Sequence, residues 1–306
     1  MTVTMTGTHT SPEGDEGALP PELGRAGHIW RILRRDRTAM LGLVLVGSLV
    51  AAAVLAPLLA PHDPNAVDVV EKYAAPSWEF PFGTDNLGRD ILSRVLVGAR
   101  LSIGTAVVAG LSIGVVGLIM GMLAGWFGGV VDTVISRVID VLLGFPLFLL
   151  ALGVTGLVGP GLRNLTVALV AVAWAGYARI VRSAVLAERA KPYVEAARAA
   201  GASETRILRK HVLPNVFAPV LVLTTIDMGV VLLVISGLSF LGLGVKAPTA
   251  EWGAMLAEGR NYLDQAPQMT VFPGAAIFLM VLGFNLLGDG LRDALDPRTS
   301  RALTHG

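Results

Sequence analysis

There is no cysteine among the 306 residues of this chain. Disulfides, thiol catalysis and cysteine-ligated zinc are thereby excluded. Charge is scarce as well. Only 15% of residues are Asp, Glu, Lys or Arg, where soluble domains carry about a quarter. Lysine is confined to Lys72, Lys191, Lys210 and Lys246, which are followed by Tyr, Pro, His and Ala. None of them completes a Gly-x-x-x-x-Gly-Lys-Ser/Thr loop, so the chain has no such cradle for hydrolysing ATP. The histidines (His9, His28, His62, His211 and His305) share no i, i+4 spacing, which argues against a helical His-based metal centre. A net charge of +1 gives no sign of a nucleic-acid partner.

What is present is apolar. Hydrophobic residues make up 53% of the chain, and mean hydropathy is +0.65. That leaves too little polar surface to cover a water-soluble globule of this size. The expected class is an all-α integral membrane protein in a lipid bilayer. A bilayer core of about 30 Å takes about 20 apolar residues in a helix. By that measure six transmembrane helices are predicted. The first spans 38–61. The others run from about Leu101 to Val131, Arg137 to Gly159, Leu162 to Ala184, Val216 to Leu243 and Met269 to Gly288. Pro146 should kink the third. The first 24 residues are polar and read as a disordered tail with no signal peptide.

Arginine and lysine set the orientation. They crowd the segment before span one (Arg25, Arg31, Arg34, Arg35, Arg37). They crowd the loop after span four (Arg182 to Lys210) and the tail (Arg292, Arg298, Arg301). The predicted layout is therefore a cytoplasmic tail at 1–37, an extracytoplasmic loop at 62–99 and a core at 100–290. The core includes a cytoplasmic loop at 185–214, and a second cytoplasmic tail occupies 291–306.

Within that cytoplasmic loop the residues spell two short helices. Pro192 suits a first helical position, and Glu195 lies in the first turn, where the helix dipole favours an acid. Gly201 is placed to terminate the first helix and Ser203 to cap the second. Arg209, Lys210 and His211 fall in its last turn, and Pro214 marks the turn into span five. Span two carries a ladder of Gly110, Gly114, Gly117, Gly121 and Gly125, read as close helix packing within the chain in preference to a subunit interface. Asp227 is the one acid deep in a span. A charge at mid-bilayer costs at least about 2.5 kcal/mol, so it should face either a hydrogen-bonding helix or a wet cargo path.

Glu195-Ala196-Ala197, then Gly201, then Leu213-Pro214 resembles the EAA loop of ABC importer permeases, with His211 at a position usually hydrophobic. Lys210 to Asn215 resembles the dipeptide/oligopeptide/nickel subfamily. Phe82 to Arg94 resembles the GTDxLGRDxxSR signature of its C-type subunits. Leu238 to Gly244 and Asn285 to Pro297 fit the same family.

The resemblance implies a type I ABC importer permease fold and a non-catalytic membrane subunit in the bacterial cytoplasmic membrane. It implies coupling to ATPase subunits through Glu195, Ala196, Ala197, Gly201, Arg206, Leu213 and Pro214. It implies an outer mouth shaped by Asp85, Arg89, Asp90 and Arg94, whose spacing makes i, i+4 pairs of Asp85 with Arg89 and Asp90 with Arg94. Asp227 and Ser239 are the candidates for a cargo path, with the chain departing from many relatives in having Ile235 where they carry Glu. The implied partners are a second homologous permease forming a heterodimer, two ABC ATPases using ATP and Mg, and an extracytoplasmic peptide-binding protein. The implied cargo is a dipeptide or short oligopeptide, with glutathione-like peptides and nickel chelates left open. A secondary transporter or an intramembrane enzyme would need charge relays, nucleophiles or metal clusters, and the spans offer Asp227 alone.

Overall fold

The computed structural model describes residues 25–295. The expectations placed on 1–24 and 296–306, including Arg298 and Arg301, lie outside the described residues. Among the described residues the fold is helical throughout and has no strand beyond an isolated bridge between Thr84 and Asp90. Helix α1 (Arg25–Arg35) leads into α2 (Arg37–Leu59), and Asp36 caps α2 by accepting from the Thr38 amide. After the outer loop come α3 (Ile91–Phe127), α4 (Gly129–Leu143), α5 (Leu147–Val158) and α6 (Leu162–Arg189). Then follow α7 (Pro192–Ala199), α8 (Glu204–Ile207), α9 (Leu213–Phe240), α10 (Trp252–Gly259) and α11 (Gln268–Leu295).

Among the described residues five helices are long and apolar enough to cross a membrane, and a bent pair brings the number to six when it is counted as one broken span. That pair corrects the expected third span. The segment begins at Gly129, not near Arg137, and α4 and α5 meet at 95° across Gly144-Phe145-Pro146. Pro146 therefore breaks the helix outright, because its ring cannot continue the preceding turn. Other boundaries also move. Helix α6 runs five residues past the expected Ala184, to Arg189. Helix α11 extends to Leu295, beyond the expected Gly288.

The glycine ladder sets the helix packing. Cβ atoms at Gly117, Gly121 and Gly125 would collide with Tyr177, Val181 and Val185, so α3 and α6 run parallel in close contact. Gly110 and Gly114 face Met228 and Thr224 of α9, which runs the opposite way. Gly42 and Gly283 similarly seat α2 against an antiparallel α11. These directions bring the start of α2, the end of α6, the start of α9 and the end of α11 to one end of the bundle. Many apolar residues on the outer helix faces are exposed, such as Val54, Val108 and Phe278. Lipid would cover such faces, since hydrocarbon is as apolar as the side chains.

Candidate functional site

The segment between α6 and α9 is a knob standing at the end of the bundle that holds both described chain ends. Pro192 opens α7 and Glu195 lies in its first turn. The helix ends in a Schellman motif. The Gly201 amide donates to the Arg198 carbonyl (2.9 Å) and the Ala202 amide to the Ala197 carbonyl (3.1 Å). Gly201 sits at φ +80°, a left-handed geometry that costs other residues about 1–2 kcal/mol. Space around it is open, so a side chain there would project into solvent. Ser203 then caps α8, accepting from the Arg206 amide. Here one expectation is corrected. There is no turn at Pro214. A single π-helical turn (Leu208–Val212) joins α8 to α9, and Pro214 falls just past that wider turn, where its missing amide interrupts the hydrogen-bond ladder without ending the helix.

The outer surface of the knob is small and exposed: Glu195, Ala196, Ala199 and Gly201 all face solvent, as does Arg206. Ala197 and Leu213 are half-buried and Pro214 is exposed. The base is anchored instead. Val194, Ile207 and Val212 are fully buried. Glu188, at the end of α6, accepts from Lys191 (2.6 Å), from the Tyr193 hydroxyl and from Asn215 of α9 (2.8 Å). Burial pushes the Tyr193 phenol up, and its bond to Glu188 adds to the shift. Bonding to the same carboxylate raises the Lys191 ammonium. Arg189 donates to the Trp126 carbonyl of α3 (2.8 Å), and Arg198 of α7 lies over the Trp126 ring. One small knob is thus tied to α3, α6 and α9 together.

At the opposite end, residues 61–90 and 241–267 form a cap. Arg89 donates to Asp85 (2.6 Å), as its i, i+4 spacing predicts. The expected Asp90–Arg94 pair does not form. Asp90 instead caps α3 through one oxygen, which accepts from the amide (2.9 Å) and hydroxyl (2.5 Å) of Ser93 and lies 3.7 Å from His62 Nδ1, while its other oxygen has no hydrogen-bond partner among the described residues. Arg94, 1% exposed, turns to Glu258 (3.0 Å), to Asp85 (3.6 Å) and to the carbonyls of Pro64 and Pro248. Gly88 lies so close to the Asp68 carbonyl that no Cβ fits. Glu251 is fully buried and accepts from the Gly253 and Ala254 amides and the Ser102 hydroxyl, which locks α10 onto α3.

Between the two ends, Asp227 lines a cavity of about 290 Å³ with Tyr177, Ile113, Leu223 and Phe145. Ser239 is not part of it. Its side chain is 2% exposed and packs beneath Gly244 and Gly253. The two residues read from the sequence as one path are held apart.

The family model described as binding-protein-dependent transport system inner membrane component matches residues 117–301. A second, the N-terminal TM domain of oligopeptide transport permease C, matches residues 25–76. The chain belongs to the binding-protein-dependent transport permease family. It is the membrane permease of an ABC importer, a non-catalytic subunit.

Among curated relatives, this permease is 41% identical to the dipeptide transport system permease protein DppC of Alkalihalophilus pseudofirmus, over 87% of this chain and 88% of that one. It is 39% identical to the di/tripeptide permease DppC of Pseudomonas aeruginosa, over 97% and 100%. It is 41% identical to the nickel permease NikC of Escherichia coli K12, over 84% and 93%. Among solved structures, a chain of the MetNI methionine ABC transporter in an inward facing conformation aligns with a TM-score of 0.54 at 20% identity. The alignment covers 67% of this permease and 98% of that chain, and it shows a shared fold.

Three residues of the permease site escaped the sequence reading: Glu188, Tyr193 and Glu258. Glu188 carried one signal, an acid at the end of a helix where the dipole disfavours it, and therefore in need of partners. Glu258 carried none, since its partners Arg89 and Arg94 lie more than 160 positions away.

Proposed function

We propose that this permease is one half of a peptide importer in the cytoplasmic membrane. A second homologous permease supplies the other half, the knob docks into one of two ATPase subunits, and an extracytoplasmic binding protein delivers dipeptides or short oligopeptides. The observation that carries the reading is the knob itself: an exposed, alanine-faced α7 ended by Gly201 and bonded at its base to three spans. A small-faced helix fits a cleft on a partner, and a rigid base passes on the push it receives. The peptide permeases among the relatives support the cargo class. The arginine-rich segments share the end of the bundle that carries the knob, which favours a cytoplasmic knob and cytoplasmic chain ends.

In this mechanism, closure of the ATPase pair around ATP and Mg presses on 192–213. Because α8 runs unbroken into α9, the push tilts that span, and Glu188 and Trp126 carry it to α6 and α3. The path then opens outward to receive cargo, and hydrolysis lets it open inward. The coupling is reciprocal, so loaded binding protein favours the closed ATPase pair. Asp227 supplies a carboxylate on the path to attract a peptide amine.

The test is to express the chain with its native neighbouring genes and purify it. A second permease and ATPase subunits should accompany it. Gly201→Trp should leave insertion intact and abolish uptake, whereas Gly201→Asn, which tolerates the left-handed geometry, should retain much of it. Full uptake in Gly201→Trp would refute docking. Asp227→Asn should lower uptake at normal assembly, and unchanged uptake would remove Asp227 from the path.

A further inference from the structure

On the outer flank of α3 and α6, away from the Asp227 cavity, lies an open groove of about 840 Å³. Its floor is apolar, with Val108 and Val167 each 59% exposed. The hydroxyls of Ser112 and Thr166 donate to carbonyls one turn back in their own helices, and the Trp174 indole donates to Ala171. The donors of these three side chains are satisfied within the protein, so they tolerate contact with hydrocarbon. Gly104 leaves a gap, with no atom within 4 Å of where its Cβ would stand. The lining on α3 runs from Arg100 to Val116, about 24 Å of helix axis, against about 30 Å of bilayer hydrocarbon.

One end of the groove is different. Arg100 and Arg163 both line it there. They lie at the same level because α3 and α6 run parallel, with Gly117 against Tyr177 and Gly125 against Val185. Both are exposed, and neither forms an ion pair among the described residues. A hydrocarbon-lined trough with two unneutralised guanidinium groups at its mouth matches a molecule with an acyl chain and an anionic phosphodiester head.

We propose that this groove is a binding site for an anionic glycerophospholipid. An acyl chain lies along Val108, Ser112 and Val167, and the phosphate bridges Arg100 and Arg163. The site does not depend on the cargo or on the ATPase partners.

The experiment uses the assembled transporter, purified with its partners and reconstituted in nanodiscs of equal phosphatidylglycerol and phosphatidylcholine. Lipid retained after exchange into detergent is measured by mass spectrometry. Phosphatidylglycerol should be retained in preference to phosphatidylcholine. Arg100→Gln and Arg163→Gln should each reduce that preference about fivefold. Gly104→Trp starts from a Cβ in open space and projects an indole into the groove, so it should expel the lipid while partners still co-purify. Equal retention of both lipids in the parent, or unchanged preference in the arginine variants and in Gly104→Trp, would overturn the proposal. So would a cross-link from Val108→Cys, the sole cysteine in such a chain, to the other permease subunit, because protein would then cover the groove.

Discussion

The cap and the knob are both made of polar residues set at the ends of an apolar bundle, yet they handle charge in opposite ways. In the cap, Arg94, Arg89 and Asp85 are all but fully buried, and each finds its partner inside the protein. In the knob, charged groups face solvent at the rim, and only Glu188 at the base is buried and bonded to both flanking helices. Buried ions bind their neighbours into one geometry, because separating them strands a desolvated charge. Exposed ions leave a surface free to meet another protein. The cap is built to hold its shape, and the knob to be pressed while its base holds.

The largest effect follows from breaking the cap. Arg94→Ala removes one of the two arginines that face Glu258 and a neighbour of Asp85, which is 4% exposed. Loss of a buried ionic partner costs about 3–5 kcal/mol, or roughly 10 °C in thermal midpoint. Thermal unfolding in detergent should register that fall. Arg94→Lys should restore only part, since an ammonium cannot reach Glu258, Asp85 and the carbonyls of Pro64 and Pro248 at once. A midpoint within 2 °C of the parent, by the same scale, would mean that the cap tolerates the loss as a surface would, and the contrast with the knob would fall.

The same contrast explains what the amino-acid order makes legible. Pro192, Gly201 and Ser203 act through backbone geometry that each fixes locally, so the α7–α8 pair can be read residue by residue. Asp85 and Arg89 lie four apart, and their pairing follows from spacing. Asp90 and Arg94 share that spacing, but Asp90 also stands before a helix, and the amide of Ser93 is nearer than any guanidinium. Glu258 and Glu188 earn their roles from partners brought together by the fold. The 95° turn at Pro146 was marked by its proline, but hydropathy counts apolar residues and carries no direction. Ser239 looked like a path residue by its neighbours in the chain, and packing put it under Gly244.

A smaller effect is expected at the base of the knob. Glu188→Ala leaves Lys191, Tyr193 and Asn215 without their shared acceptor, at a cost of about 1–3 kcal/mol confined to that corner. The bundle should keep its thermal midpoint. Hydrogen exchange across 191–204 should quicken, and uptake per ATP hydrolysed should fall because the push is no longer passed to α6. Unchanged exchange together with an unchanged ratio would show that the base does not transmit.

The smallest effect lies at the rim. Glu204 accepts from Arg198 (2.7 Å), and that guanidinium holds its carboxyl below the usual value of 4.5. A carboxyl with a depressed folded pKa contributes above its unfolded value and loses that contribution as pH falls through the folded one. Between pH 8 and pH 5, then, the pair is fully formed, and the knob should show no pH dependence from it. Both side chains are solvated, and exposed pairs of this kind are worth little. Glu204→Gln should leave hydrogen exchange at 191–204 and the coupling ratio as in the parent, at low salt and high. If it loosened the knob as much as Glu188→Ala, rim and base would be one network. The knob would then be held together by its exposed charges, and the division between a shape-keeping cap and a docking knob would have to be redrawn around Arg198.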